Sequence, residues 1–211
     1  MRKSDEMFTK LQRTCIFHIK TNTIYYVLVL CGFICGGIIA AACVFGISEL
    51  SDKELLLYFE DFFSSINQTG TDSFEIFKMA ASSNVKLYIV VMLLSMMVIG
   101  APFIAMLSCI FGYSFWFTLL FMFKSYGLKG LIFFVGGMLP HQLIGFPCFM
   151  LTLIISMRFS VSLFKGKNDI KSQFAPFLLK MTALFGIAVL SSLLQGYIEP
   201  VFLELMSPLF L

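Results

Sequence analysis

The longest uncharged stretch of this chain constrains its fold most strongly. Leu87 to Phe123 is a run of 37 residues without a single Asp, Glu, Lys or Arg. A helix needs about 20 apolar residues to cross the hydrocarbon core of a bilayer, so this run is too long for one crossing and suits a tight pair of helices. The sequence therefore predicts an integral membrane protein.

Three further uncharged runs agree with this interpretation, and they cover residues 21–48, 130–157 and 181–198. Backbone groups without partners cost several kcal/mol in lipid, so a spanning segment must be a helix or part of a closed barrel. The runs lack the alternation of apolar and polar residues that barrel strands show. With a mean hydropathy of +0.92, the chain is predicted to be an all-α membrane protein, a polytopic helical bundle of about five transmembrane helices.

The distribution of basic residues predicts how the chain is threaded. The tail 1–20 and the segment 158–180 each carry five Lys or Arg, which predicts that both are cytoplasmic. The acidic segment 49–85 is predicted to lie outside. A turn near Ser108 to Gly112 satisfies both placements, with the N-terminus inside and the C-terminus outside. The five predicted spans lie near 21–48, 86–107, 109–126, 129–157 and 180–199, and the last four form the bundle 86–211.

The outer segment contains an amphipathic pattern. Apolar residues recur at helical spacing from Lys53 to Ile66, with acidic residues on the other side. Two interpretations remain open: a helix on the lipid surface or over the bundle, and a docking face for a partner. The candidate partner-binding residues are Phe59, Glu60, Asp61, Phe62 and Phe63.

The spans lack the motifs of known catalytic sites. No H-E-x-x-H, G-x-S-x-G, phosphate loop or pair of intramembrane aspartates occurs in the sequence. His18 and His141 are far apart and have no suitably spaced Cys or carboxylate companions, so no metal site is expected. We expect no catalytic residues, no cofactor and no nucleic-acid partner.

The fourth span is the most unusual, because Pro140, His141 and Gln142 interrupt an apolar run. Proline removes a backbone donor and clashes with the preceding turn, so we predict a broken helix there. Two roles for His141 and Gln142 remain open: bonding the freed carbonyls, and contacting a substrate or a partner helix. Pro102 is predicted to kink the second span. Glu199, at the outer end of the last span, either marks the interface or forms a partner contact.

The first span contains the pair Gly32 and Gly36, a G-x-x-x-G spacing that lets two helix backbones approach closely in lipid. Packing within the chain and homo-oligomerisation are both compatible with it, and packing within the chain is the favoured interpretation.

Taken in order, several short motifs resemble the stage II sporulation protein M family over most of the chain. These motifs are Asn84, Ile99-Gly100-Ala101-Pro102, Gly112, Gly127-Leu128-Lys129-Gly130, Leu139-Pro140-His141 and Ile198-Glu199. The chain departs from the family pattern by placing Pro200 directly after Glu199.

The resemblance implies a non-catalytic membrane scaffold of endospore-forming bacteria. Its implied partners are two peptidoglycan-degrading enzymes, a lytic transglycosylase (protein D) and an amidase/endopeptidase (protein P). Its implied location is the sporulation septum and the engulfing mother-cell membrane. A transporter or permease-like subunit that uses the fourth span remains the alternative function.

Overall fold

The computed structural model describes residues 20–46, 57, 73–166 and 170–206. Six α-helices and one π-helical segment make up this part of the chain. They are α1 (Thr23–Gly46), α2 (Ser73–Met96), α3 (Gly100–Tyr126), α4 (Leu128–Phe133), the π segment (Phe134–Met138), α5 (Leu139–Phe164) and α6 (Ile170–Met206).

Five helical stretches of the described residues are long and apolar enough to cross a membrane. α4, the π segment and α5 form one of them, the fourth span Leu128–Phe164. The other four are α1, α2, α3 and most of α6. The prediction of an all-α polytopic membrane bundle is therefore confirmed.

The predicted turn near Ser108 to Gly112 is wrong, because both residues lie in the middle of α3. The chain reverses instead at Met97 to Ile99, where the Gly100 N–H donates to the Met97 carbonyl at 3.0 Å. No charge marks either position in the sequence. The small residues that suggested a turn serve instead to bring α3 close to α1.

The predicted kink at Pro102 is also wrong. Pro102 lies in the first turn of α3, which follows Ile99 as its N-cap. Backbone N–H groups of a first turn have no acceptor within the helix, so proline loses no hydrogen bond there.

Two helices begin earlier in the structure than the sequence predicts. α2 begins at Ser73, so residues 73–85 belong to the second span and not to the outer segment. α6 begins at Ile170, ten residues before the predicted position, because the helix continues past the end of its apolar run. The predicted amphipathic helix from Lys53 to Ile66 lies outside the described residues, apart from Leu57.

Neighbouring contacts fix the direction of the helices. Along α1, Gly32 lies beside Ala105, and Gly36, further along, lies beside Cys109 of α3. The residue numbers rise together, so α1 and α3 run parallel, as an even number of crossings between their starts requires. α2 and α6 run antiparallel, because Phe77 lies beside Gly196 and the Tyr88 hydroxyl lies 3.5 Å from the Leu184 carbonyl.

Glycines bring α1 and α3 into backbone contact. A Cβ at Gly36 would overlap the carbonyl oxygen of Cys109, and one at Gly112 would overlap the carbonyl oxygen of Phe33. The Ser108 hydroxyl donates to the Val29 carbonyl at 2.6 Å across the same interface. The G-x-x-x-G pair therefore packs within the chain, as the favoured interpretation predicted.

An aromatic cluster joins this helix pair to α5. Phe33 of α1 meets Phe146 of α5 edge to face, with ring centroids 4.9 Å apart. Phe111 of α3 lies 4.6 Å from Phe149 of α5. The largest buried cluster then extends from these rings through α2 and α6, so all five spans share one core.

We expect Gly36→Leu to destabilise the folded bundle by about 2 kcal/mol or more, because the new side chain would meet the α3 backbone. Gly186→Leu is the matched control, since nothing lies within 4 Å of a Cβ at that position of α6. Thermal unfolding in detergent measures both. A Gly36 variant as stable as the Gly186 variant would contradict the close packing of α1 against α3.

Candidate functional site

One face of α5 carries small and polar residues at helical spacing. We call this face the α5 seam, and its members are Gly145, Cys148, Thr152, Ser156 and Ser160. Steps of three and four residues place side chains on one side of a helix. The three hydroxyl residues of the seam are fully buried. The seam faces α2 and α6, so it lies where three spans meet.

The centre of the seam is a hydrogen-bond cluster that joins three spans. The Thr152 hydroxyl of α5 lies 3.1 Å from the Tyr88 hydroxyl of α2 and 2.9 Å from the Cys148 carbonyl. The Cys148 thiol donates to the Leu184 carbonyl of α6 at 3.1 Å. The Tyr88 oxygen lies 3.4 Å from the same sulfur. Every polar side chain of this cluster therefore has a partner on another helix or on its own.

Two further hydrogen bonds join α2, α5 and α6 in the half of the bundle that lies further from the α2–α3 turn. The Asn84 amide of α2 donates to the Ser192 hydroxyl of α6 at 2.7 Å. The neighbouring Ser191 hydroxyl donates to the His141 carbonyl of α5 at 2.8 Å. In lipid, such bonds between helices stabilise association where water cannot drive it.

The end of the seam at Ser160 contacts the hairpin between α2 and α3. The Ser160 hydroxyl donates to the Met97 carbonyl at 2.8 Å, which places the turn at the level of Ser160. Close by, the rings of Phe159 and Phe177 stack with centroids 4.1 Å apart and pack α5 against α6.

The polar groups of this arrangement hold the helices together. Its hydroxyl, thiol and amide groups are bonded to carbonyls and to one another. The described residues contain no group of three or more His, Cys, Asp or Glu placed to hold a metal ion. The contacts therefore support a structural role for the seam.

The predicted break in the fourth span takes a different form. The helix widens into the π segment, in which the Leu139 N–H bonds to the Phe134 carbonyl, and the chain does not unwind. Pro140 follows directly, and its ring would clash with a carbonyl of an ordinary preceding turn. A single π-helical turn relieves that clash while it keeps the other backbone groups paired.

His141 and Gln142 are both half-buried. The His141 Nδ1 atom is buried and has no hydrogen-bond partner among the described residues, while its carbonyl accepts the bond from Ser191. Along the helix, His141 lies roughly 25 Å from Arg158, and its carbonyl is level with Ser191 of α6. Whether its imidazole serves structure or function stays a prediction.

The remaining predicted site residues are placed only in part. Glu199 lies within α6, but its side chain is outside the described residues. The same holds for the whole of the predicted docking face, namely Phe59, Glu60, Asp61, Phe62 and Phe63. The structure therefore places Pro140, His141 and Gln142 in the first turn of α5 and leaves the docking prediction open.

The sequence analysis missed the residues that form the seam. Their signal is present, because polar residues inside otherwise apolar runs mark the contacts between membrane helices. In the sequence, Asn84 stands out only as part of a family motif. The partners follow from the relative height of the helices, which the sequence does not give.

One protein-family model matches most of the chain. The family model for stage II sporulation protein M matches residues 26–200, which include all five spans apart from the first residues of α1. The chain belongs to this family. Comparisons with curated proteins and with solved structures gave no match. As a member of the stage II sporulation protein M family, the chain is a sporulation-related multi-pass membrane protein.

A double-mutant cycle tests the outer hydrogen bond. We expect Asn84→Ala and Ser192→Ala to be coupled by about 0.6 kcal/mol, the average for hydrogen bonds between membrane helices, and by no more than about 1.7 kcal/mol. Reversible unfolding in bicelles gives the free energies. Thr182→Ala is the control, because the Thr182 hydroxyl bonds within its own helix. Equal coupling of Asn84 with Thr182 and with Ser192 would contradict the bond.

Proposed function

We propose that this protein is a non-catalytic membrane scaffold that recruits peptidoglycan-degrading enzymes during sporulation engulfment. Membership of the stage II sporulation protein M family supports a role in sporulation and in the membrane. The proposed partners are the lytic transglycosylase (protein D) and the amidase/endopeptidase (protein P) that the family resemblance implies. The proposed location is the septum and the mother-cell membrane that migrates around the forespore.

The hydrogen bonding of the polar groups inside the bundle is the observation that most supports this proposal. Asn84, Tyr88, Cys148 and Thr152 lie at the contacts between α2, α5 and α6, and each is engaged in a hydrogen bond to another side chain or to the backbone. An enzyme needs a nucleophile, an acid or a base in reach of a substrate. Groups committed to holding helices together favour a scaffold.

The side of the membrane on which the partners act also supports the proposal. Peptidoglycan lies outside the cytoplasmic membrane, and the positive-inside rule places the segment between α1 and α2 on that side. The parallel course of α1 and α3 agrees with this threading, since it puts Gly46, at the end of α1, and Phe164, at the end of α5, on opposite sides of the bundle.

The position of the π segment gives less support to a permease. In transporters the discontinuous helices meet near the middle of the bilayer, where the substrate binds. Here the π segment covers Phe134–Met138, in the half of the uncharged run 130–157 that lies further from Arg158. A substrate site at the middle of the bilayer would need an irregular backbone at a different depth from that of the π segment.

Charges placed on the predicted docking face should abolish recruitment. We expect the double variant Phe59→Asp and Phe63→Asp to insert normally but to lose the wall hydrolases, because two carboxylates would be desolvated against an apolar partner. Co-purification of both hydrolases from membranes of sporulating cells measures recruitment, and immunoblotting measures the amount of inserted protein.

A matched control adds the same charge to the opposite side of that predicted helix. Ser64→Asp with Ser65→Asp should keep recruitment at the wild-type level. If the Phe59 and Phe63 variant still retained the hydrolases at a normal protein level, the docking proposal would fail. If a nucleotide-hydrolysing subunit co-purified in place of the hydrolases, the permease function would replace the scaffold.

A further inference from the structure

The corrected position of the hairpin places one lysine deep in the membrane. The turn at Met97 lies level with Ser160, two residues from Arg158, and Arg158 ends the uncharged run 130–157. Lys86 lies on α2, roughly 16 Å along the helix from that turn. Since the hydrocarbon core is about 30 Å thick, Lys86 is near its middle.

The contacts between α2 and α6 give the same height independently. Asn84 meets Ser192, and Tyr88 meets Leu184, on either side of Lys86. Lys86 is therefore level with the stretch between Leu184 and Ser192. That stretch is the centre of the uncharged run 181–198, which crosses the bilayer as part of the fifth span.

The side chain of Lys86 points away from the bundle. Lys86 is exposed, and no hydrogen bond or ion pair joins it to another described residue. Ser82 and Ser83 are exposed on the same helix, one turn towards the outer side. We call Ser82, Ser83 and Lys86 the α2 polar face.

Exposure of this face to lipid is energetically unfavourable because it carries a charge. A lysine at the centre of a helix in the bilayer costs about 2.5 to 3.5 kcal/mol even on the mildest scale. Lysines near helix ends escape by extending towards the headgroups, but the four-carbon stem reaches only roughly 6 Å, which is less than half the distance needed here. An anionic partner at the same depth would remove this cost.

We propose that the α2 polar face binds a transmembrane helix of another protein that carries an Asp or Glu at mid-bilayer depth. Lys86 would pair with that carboxylate, and the short side chains of Ser82 and Ser83 allow the two backbones to approach. Charged residues inside membranes pair in this way with one another. The inference concerns the chemistry of the partner helix and holds whichever protein supplies it.

A second copy of this chain does not supply the carboxylate. The uncharged runs 21–48, 87–123, 130–157 and 181–198 contain no Asp or Glu. The nearest acidic residue on the described part of α2 is Glu75, roughly 16 Å further towards the outer end. Two copies that met through this face would also bring their Lys86 residues together, which is unfavourable.

The test uses the full-length protein in phosphatidylcholine vesicles with a synthetic polyleucine transmembrane peptide. One peptide carries a single central Glu, and the control peptides carry Gln or Leu there. We expect the Glu peptide to associate on the order of tenfold more tightly than the Leu peptide, as measured by energy transfer between fluorophores on protein and peptide.

Variants of the protein decide whether Lys86 is responsible. Lys86→Met should remove the preference for the Glu peptide and leave the bundle inserted, because it replaces a charge with an apolar side chain of similar length. Lys86→Glu should bind a peptide with a central Lys instead. Lys78→Met is the control, since Lys78 lies near the outer end of α2 and should leave the preference unchanged.

Three outcomes would overturn the proposal. Equal association of the Glu and Leu peptides with the wild-type protein would show that no carboxylate is recognised. A preference that persists in Lys86→Met would assign recognition to another residue. Rapid modification of Lys86 in these vesicles by an amine reagent that does not cross membranes would place it in water. None of these outcomes involves wall hydrolases, so the scaffold function is tested separately.

Discussion

The absence of water from the hydrocarbon core governs this structure. Inside the core, apolar side chains gain nothing by leaving lipid, so association of helices depends on close packing and on hydrogen bonds between them. The protein uses the two devices in different places. Gly36 and Gly112 bring the backbones of α1 and α3 into contact. Buried hydroxyl, thiol and amide groups join α5 to α2 and α6 along the α5 seam.

The hydrogen bonds at the centre of the bundle do not involve the conspicuous side chains of the fourth span. Pro140 is accommodated by one π-helical turn, and the central hydrogen bonds belong to Tyr88, Cys148 and Thr152. Those bonds hold the bundle together. We propose functions for two other parts of the chain, the segment between α1 and α2 and the α2 polar face.

Much of the architecture could be predicted from the sequence, because uncharged runs report membrane crossings directly. The family could be predicted too, from short motifs in a fixed order. The turn could not, because Leu87 to Phe123 contains no charge to mark it, and Ser108 and Gly112 suit a turn and a helix contact equally well. The position of the turn also determines the depth of Lys86. The sequence places Lys86 at the edge of the membrane, whereas our proposal, based on the turn at Met97, places it near the middle. The hydrogen-bond partners could not be predicted either, because pairing Asn84 with Ser192 requires the relative heights of α2 and α6, which the sequence does not give.

The depth of α2 in the membrane is the central claim, and spin labels measure it most directly. Single nitroxides at Ser83, Val90 and Val98 in the reconstituted protein report depth through their accessibility to oxygen and to a water-soluble nickel complex. The structure predicts that Ser83 and Val90 lie on either side of the bilayer centre and that Val98 lies at the aqueous boundary. A label at Val98 deepest in the bilayer, with Ser83 in water, would contradict it.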